Sequence, residues 1–237
     1  MKYSSFQPAA TLAACATVLA LAACGGGGDG GDSAPAVKSV DVAAFEHNIL
    51  RVNAQWTLNG TGTANGKSVP FQIVMSSAPA ARAAFPLTGV IGNTVSQSMT
   101  ISASGVSQTV IGATYYDDAD HSFGVSYDTG GCTSIVASAT ALPTAAAIGS
   151  SGPLQTEQSF TSCSTAVSAV PVSTSSETWS VENDGGVILV CENSTQVSGA
   201  TTATGSTCFE SDANGKPGGR ARVTISSNGV EINARNY

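Results

Sequence analysis

Ser176-Glu177-Thr178-Trp179-Ser180-Val181-Glu182, then Asn183-Asp184-Gly185-Gly186, then Val187-Ile188-Leu189-Val190-Cys191-Glu192 is the stretch on which the fold turns. Two short runs rich in Val, Ile, Thr and aromatic residues flank a turn with paired glycines, which is hairpin chemistry. The same grammar continues in both directions. Strands are expected at 55–60, 69–76, 97–103, 107–115, 122–128, 133–139, 156–162, 176–182, 187–192, 205–210, 220–226 and 230–234. Asn65-Gly66, Asp184-Gly185-Gly186, Asn214-Gly215 and Asn228-Gly229 supply the turns between them. The expected fold class is all-β in the main: an antiparallel meander closed into a barrel or stacked into a sandwich.

A fainter order overlies the meander. Thr114-Tyr115, an acidic turn and Phe123-Gly124-Val125 line up with Thr178-Trp179, an acidic turn and Val187-Ile188-Leu189, at uneven spacing. Read as a duplication, it divides the β domain of residues 39–237 into two units meeting near residues 142–153. One helix is expected, at 40–53. Val42, Phe45, Ile49 and Val52 form its apolar stripe, and Ser39 or Asp41 caps its start. His47 falls off that stripe and reads as a solvated helix residue.

The chain has 237 residues and a net charge of −7. Only 11% of it is charged, against about 25% in ordinary soluble proteins. Ser, Thr, Gly and Asn supply the polar surface instead. Without a basic patch to neutralise phosphates, nucleic acid is excluded as a partner. Gly218 to Arg222 is the one local basic spot and reads as a solvated strand. Cys132, Cys163, Cys191 and Cys208 read as two disulfides in an exported chain. Three pairings exist, of which the nearest-neighbour set, Cys132–Cys163 and Cys191–Cys208, is expected. The absence of any C-x-x-C argues against zinc.

The densest titratable run is Asp117-Asp118-Ala119-Asp120-His121. Asp117, Asp118, Asp120 and His121 are the candidates for a cation site, but the run lacks the spacing of a calcium loop. It reads as an inert hairpin tip, its carboxylates satisfied by water and local amides. Asn65-Gly66-Lys67-Ser68 ends like a phosphate loop, yet Thr61 stands where the first glycine belongs and the segment joins two strands. No G-x-S-x-G elbow or H-E-x-x-H run occurs, and Glu157, Glu177, Glu182, Glu192 and Glu210 are scattered. No catalytic residue, metal or cofactor is expected. Trp56, Trp179, Tyr115, Tyr116 and Tyr127 read as core residues in preference to a sugar-stacking surface.

The first 25 residues carry a different signal. Lys2 stands in a short polar start, Ala9 to Leu21 is apolar, and Leu21-Ala22-Ala23-Cys24 leads into Gly25-Gly26-Gly27-Gly28. The apolar run falls short of the ~18–20 residues that span a bilayer. It has the parts of a secretory signal. The arrangement resembles the lipobox of bacterial lipoprotein precursors. That resemblance implies that residues 1–23 are removed and that Cys24 becomes the lipid-attached first residue. It also implies that Gly25, in place of Asp, directs the protein to the outer membrane. Loss of Lys2 takes the net charge from −7 to −8. Residues 24–38 read as a glycine-rich flexible tether.

The expected function is therefore a lipid-anchored cell-envelope protein, non-enzymatic, serving as a structural, binding or surface-interaction module. Its partners are the membrane through Cys24 and an envelope protein or polysaccharide. An envelope hydrolase with acids on β loops and a carbohydrate-binding domain with exposed aromatics are the alternatives.

Overall fold

The computed structural model describes residues 39–64, 66–138, 141–164 and 170–237. Cys24, the 24–38 tether and Asn65 lie outside them. Twelve strands close into one antiparallel barrel. They are β2 (Ala54–Ala64), β3 (Lys67–Ala84), β4 (Ile91–Ala103), β5 (Val106–Tyr116), β6 (Ser122–Tyr127), β7 (Cys132–Ser138), β9 (Ser151–Phe160), β10 (Ser173–Asp184), β11 (Val187–Ser198), β12 (Thr201–Ser211), β13 (Pro217–Ser227) and β14 (Val230–Arg235). Neighbours in space are neighbours in sequence, and β14 pairs with β2 to close the ring. Two short strands, β1 (Ser39–Val40) and β8 (Ala146–Ala147), pair with each other as a separate sheet. The helix α1 (Val42–Ile49) precedes β2.

Each expected strand falls on one barrel strand, with only its ends displaced, and the sandwich alternative is excluded. Residues 142–153, where two units were expected to meet, connect β7 with β9 across one continuous ring. The expected helix is shorter, at 42–49. Asp41 caps it by accepting from the Ala44 amide at 2.8 Å, and Val42, Phe45 and Ile49 are buried.

Alternation sets the two faces of the wall. Along β2, Ala54, Trp56 and Leu58 are buried while Gln55, Thr57 and Asn59 are exposed. Along β10, Ser173, Ser175, Glu177, Trp179 and Val181 are buried while Thr174, Ser176 and Thr178 are exposed. The outer face of β3 to β5 carries hydroxyl pairs: Ser76–Ser98 at 2.7 Å, Thr100–Thr109 at 2.8 Å and Ser102–Ser107 at 2.7 Å. A polar outer face on these strands is the reverse of a barrel whose strands face lipid. Trp56 packs on Phe209 inside, ring centroids 5.1 Å apart. Trp179, Tyr115 and Tyr116 are buried too, as expected of core aromatics.

Turn chemistry follows the sequence closely. Asn228 and Gly229 both have positive φ, +50° and +75°, as do Gly185 and Gly186. Such turns match the twist of the strands they join. Ser104-Gly105 does the same work at +51° and +79° without the usual Asn or Asp. At the β2–β14 seam a Cβ on Gly60 would lie 1.9 Å from the Asn233 carbonyl oxygen, so the close approach requires glycine. On the outer face Phe85 folds over β5 and β6, its ring against Tyr115 (5.2 Å) and over Gly124.

One disulfide is present among the described residues. Cys191 and Cys208 face each other across β11 and β12 and are bonded. A bridge closing a loop of this size stabilises by roughly 3 kcal/mol on the chain-entropy account. Arg222 covers it, with Nη2 3.2 Å from Cys208 Sγ and ion pairs to Glu182 (2.5 Å) and Asp184 (3.2 Å). Of the expected solvated basic strand, Arg220 is exposed, while Arg222 is a partly buried lid. The second expected disulfide is not formed. Cys132, buried on β7, and Cys163, beyond the end of β9, are thiols in this structure. They lie within hydrogen-bonding reach of each other.

Candidate functional site

One end of the barrel is occupied by α1, which the chain positions from three sides. The Asp41 amide donates to the Ala213 carbonyl at 3.1 Å, and the Val42 amide to that of Pro143 at 3.0 Å. Asn48 Nδ2 donates to the Gly215 carbonyl at 3.0 Å. A Cβ on Gly215 would sit 2.4 Å from the Asp41 carbonyl oxygen, so the helix rests directly on that glycine.

The third side is the acidic turn. Asp120 holds the helix through His47 Nδ1 at 2.5 Å and through the Arg51 guanidinium. Arg51 also donates to the His47 carbonyl at 2.9 Å and lies over the Tyr116 ring. Asp117 behaves as a hairpin tip should, accepting the Ala119 amide at 2.8 Å and the His121 amide at 2.9 Å. Slight burial opposes ionisation of Asp117, but those amides and the His121 ring outweigh it and hold the carboxyl below its usual range. Asn93 and Arg82 likewise hold Asp118 low. Of the four cation candidates, Asp117 and His121 therefore pair with each other, while Asp118 and Asp120 turn to separate partners. His47, read from sequence as solvated, is largely exposed yet paired.

Beneath the helix the interior wall is acidic. Glu157, Glu177 and Glu192 are 0%, 2% and 8% exposed. Register places them side by side: Glu157 pairs with Ser175 across β9 and β10, and Glu177 with Ser194 across β10 and β11. Gln155 Nε2 bridges two of them, 2.9 Å from Glu157 Oε1 and 2.7 Å from Glu177 Oε2. Ser175 donates to Glu157 Oε2 at 3.0 Å. Glu46 enters from α1, its Oε1 buried without a hydrogen-bond partner. Burial pushes Glu46 up to about 7 and Glu157 up to about 7, the latter partly offset by Ser175 and Gln155. Burial, then the neighbouring Glu46, Glu177 and Glu157 carboxyls, push Glu192 well above the usual carboxylate range.

Two spaces meet at this cluster. An inner cavity of about 50 Å³ is lined by Glu46, Gln97, Thr114, Gln155 and Glu192, among others. An outer vestibule of about 290 Å³ runs between α1, residues 119–122 and residues 141–142. Glu46, Ser122, Leu154 and Gln155 line both. The vestibule and the inner cavity therefore adjoin at the Glu46 side chain.

Sequence reading missed this cluster. Glu182 and Glu210, scattered with the others in the chain, are spent outside the barrel on Arg222 and Arg220. Among the described residues, three metal-ligating groups approach one another only at Glu182, Cys191 and Cys208, where the two sulfurs are bonded to each other. Comparison with protein-family models, curated proteins and solved structures gives no match. No described helix is long and apolar enough to cross a membrane.

Proposed function

We propose that the protein is a lipid-anchored binding module of the bacterial envelope, held at Cys24, whose barrel takes a small ligand at the end covered by α1. The observation that carries this reading is the vestibule that shares Glu46 with an acid-lined inner cavity. Buried carboxyls without cations are costly, so a fold that keeps four of them in one place retains them for something they contact. Ligand pockets favour such barrel mouths. The polar outer wall suits a domain held beside a membrane on a lipid and a tether. In an oxidising envelope, Cys132 and Cys163 close as the second disulfide, giving up two protons and two electrons to a disulfide oxidant. The alternatives have less support: Glu182 and Glu210 lie on strands and are committed to ion pairs, and Trp56, Trp179, Tyr115 and Tyr116 are buried, with Tyr127 half-buried.

The test is a melting-temperature screen of small cationic, neutral and anionic compounds against the wild-type chain and Ala43→Phe, which fills the vestibule from α1. At least one class should raise the wild-type melting temperature and leave Ala43→Phe unmoved. Equal shifts in both proteins, or none in either, would overturn the mouth as the binding site.

A further inference from the structure

Glu46 of α1, Glu192 of β11 and Gln97 of β4 face the inner cavity together. Glu46 Oε1 is buried and unpartnered. Only burial and like charges act on Glu192; no hydrogen bond holds it. Gln97 is 4% exposed, accepts from the Thr114 hydroxyl at 2.9 Å through Oε1, and keeps Nε2 buried without a partner. Turning its amide over retains the Thr114 bond, with the hydroxyl now accepting, and presents the carbonyl oxygen to the cavity. These three groups then offer the cavity an acceptor each, two of them carboxylates, and no cation lines it.

Resting on the reading of the mouth as a binding site, we propose that its ligand is a small aliphatic primary amine. The –NH3+ sits among Glu46, Glu192 and Gln97, and the carbon chain lies in the vestibule. A primary ammonium carries three donors and no acceptor, which matches the three groups one for one. Ala43, Ala141, Leu142 and Leu154 offer the chain an apolar path outward. A quaternary ammonium has no donor and relies on an aromatic cage; no Trp, Tyr or Phe lines either space. A hard cation needs about six to eight converging oxygens, and no three of these carboxyls lie close enough to share one ion.

Binding requires Glu46 and Glu192 ionised. Glu157 of β9 and Glu177 of β10 face them from the wall, and His47, Asp120 and His121 stand at the vestibule rim. Affinity therefore rises with pH as Glu46, held to about 7 by burial, loses its proton while an alkylamine keeps its own.

Calorimetry on the full chain compares n-butylamine with butyltrimethylammonium at pH 8. Butylamine should bind at least tenfold more tightly. Glu192→Gln and Glu46→Gln should each weaken it at least tenfold while near-ultraviolet circular dichroism stays native. Equal affinity for the two cations, unchanged binding in both variants, or no amine binding would overturn the assignment. If a neutral or anionic compound instead binds in a manner that Ala43→Phe abolishes, the amine assignment falls and the mouth stands. If no such compound is found, both fall.

Discussion

Glu157 reaches the interior from the middle of β9 with both oxygens occupied, by Gln155 and Ser175, and no cation opposite. Its protonation is therefore a stability statement. In the unfolded chain the carboxyl ionises near 4.5; in the fold burial holds the proton to about 7. Across that window the folded state binds more protons, so stability is full below it, falls as pH rises through it and levels off above. Each tenfold gain in proton affinity on folding is worth about 1.4 kcal/mol, which sets a ceiling of about 3 kcal/mol for this group. Glu157→Gln should stabilise by about 1–3 kcal/mol at pH 8 and by almost nothing at pH 4, read from urea unfolding. An equal effect at both values would show that ionisation is not the cause. One of the three wall acids was open to reading in the sequence, because Glu177 shares its phase with Trp179 and Val181. Glu192 was not: β11 is buried on both faces, since Tyr237 and Arg222 cover Leu189 and Cys191 from outside. Glu157 was not either, because the Phe160 that ends its strand points to the outer cluster with Cys132.

At the scale of elements, the hairpins were legible because each turn needs left-handed residues and the chain supplies Gly, Asn and Asp there. Strand ends were not, because they continue beyond the apolar runs on Ser, Thr and Gly that only register holds in place. The helix was legible from its stripe and cap; its dock against Asp120 was not, being a contact across 73 residues. The outer element formed by β7 and the chain after β9 carries the open thiol pair. The Cys163 amide is held by the Gly130 carbonyl at 3.0 Å, and Cys132 Sγ faces the Ser162 carbonyl at 3.8 Å, so both cysteines are placed before any bond forms. Burial raises both thiols, which slows attack by either as a thiolate. Protein recovered from an oxidising compartment should give no titratable thiol among Cys132, Cys163, Cys191 and Cys208. Two free thiols would mean that the pair stays open.

The whole molecule is a polar-coated barrel, and the proposed attachment rests on the 38 residues ahead of the described fold. Cys24→Ala should abolish fatty-acid labelling and release the protein from membranes, with the melting temperature of the barrel unchanged. Equal labelling of the variant would refute the anchor. The seam has a consequence in time. β2, near the start of the domain, pairs with β14, the last of the described strands, and α1 lies on the turn before β13. A chain threaded from its N-terminus through an export channel thus carries an open sheet edge until nearly all of it has emerged. Pairing of such distant segments is intrinsically slow, and open edges invite pairing with other chains. Under the proposed export, maturation depends on a period of protection, and a chain stalled before residue 230 would be left as an uncapped, self-adhesive ribbon.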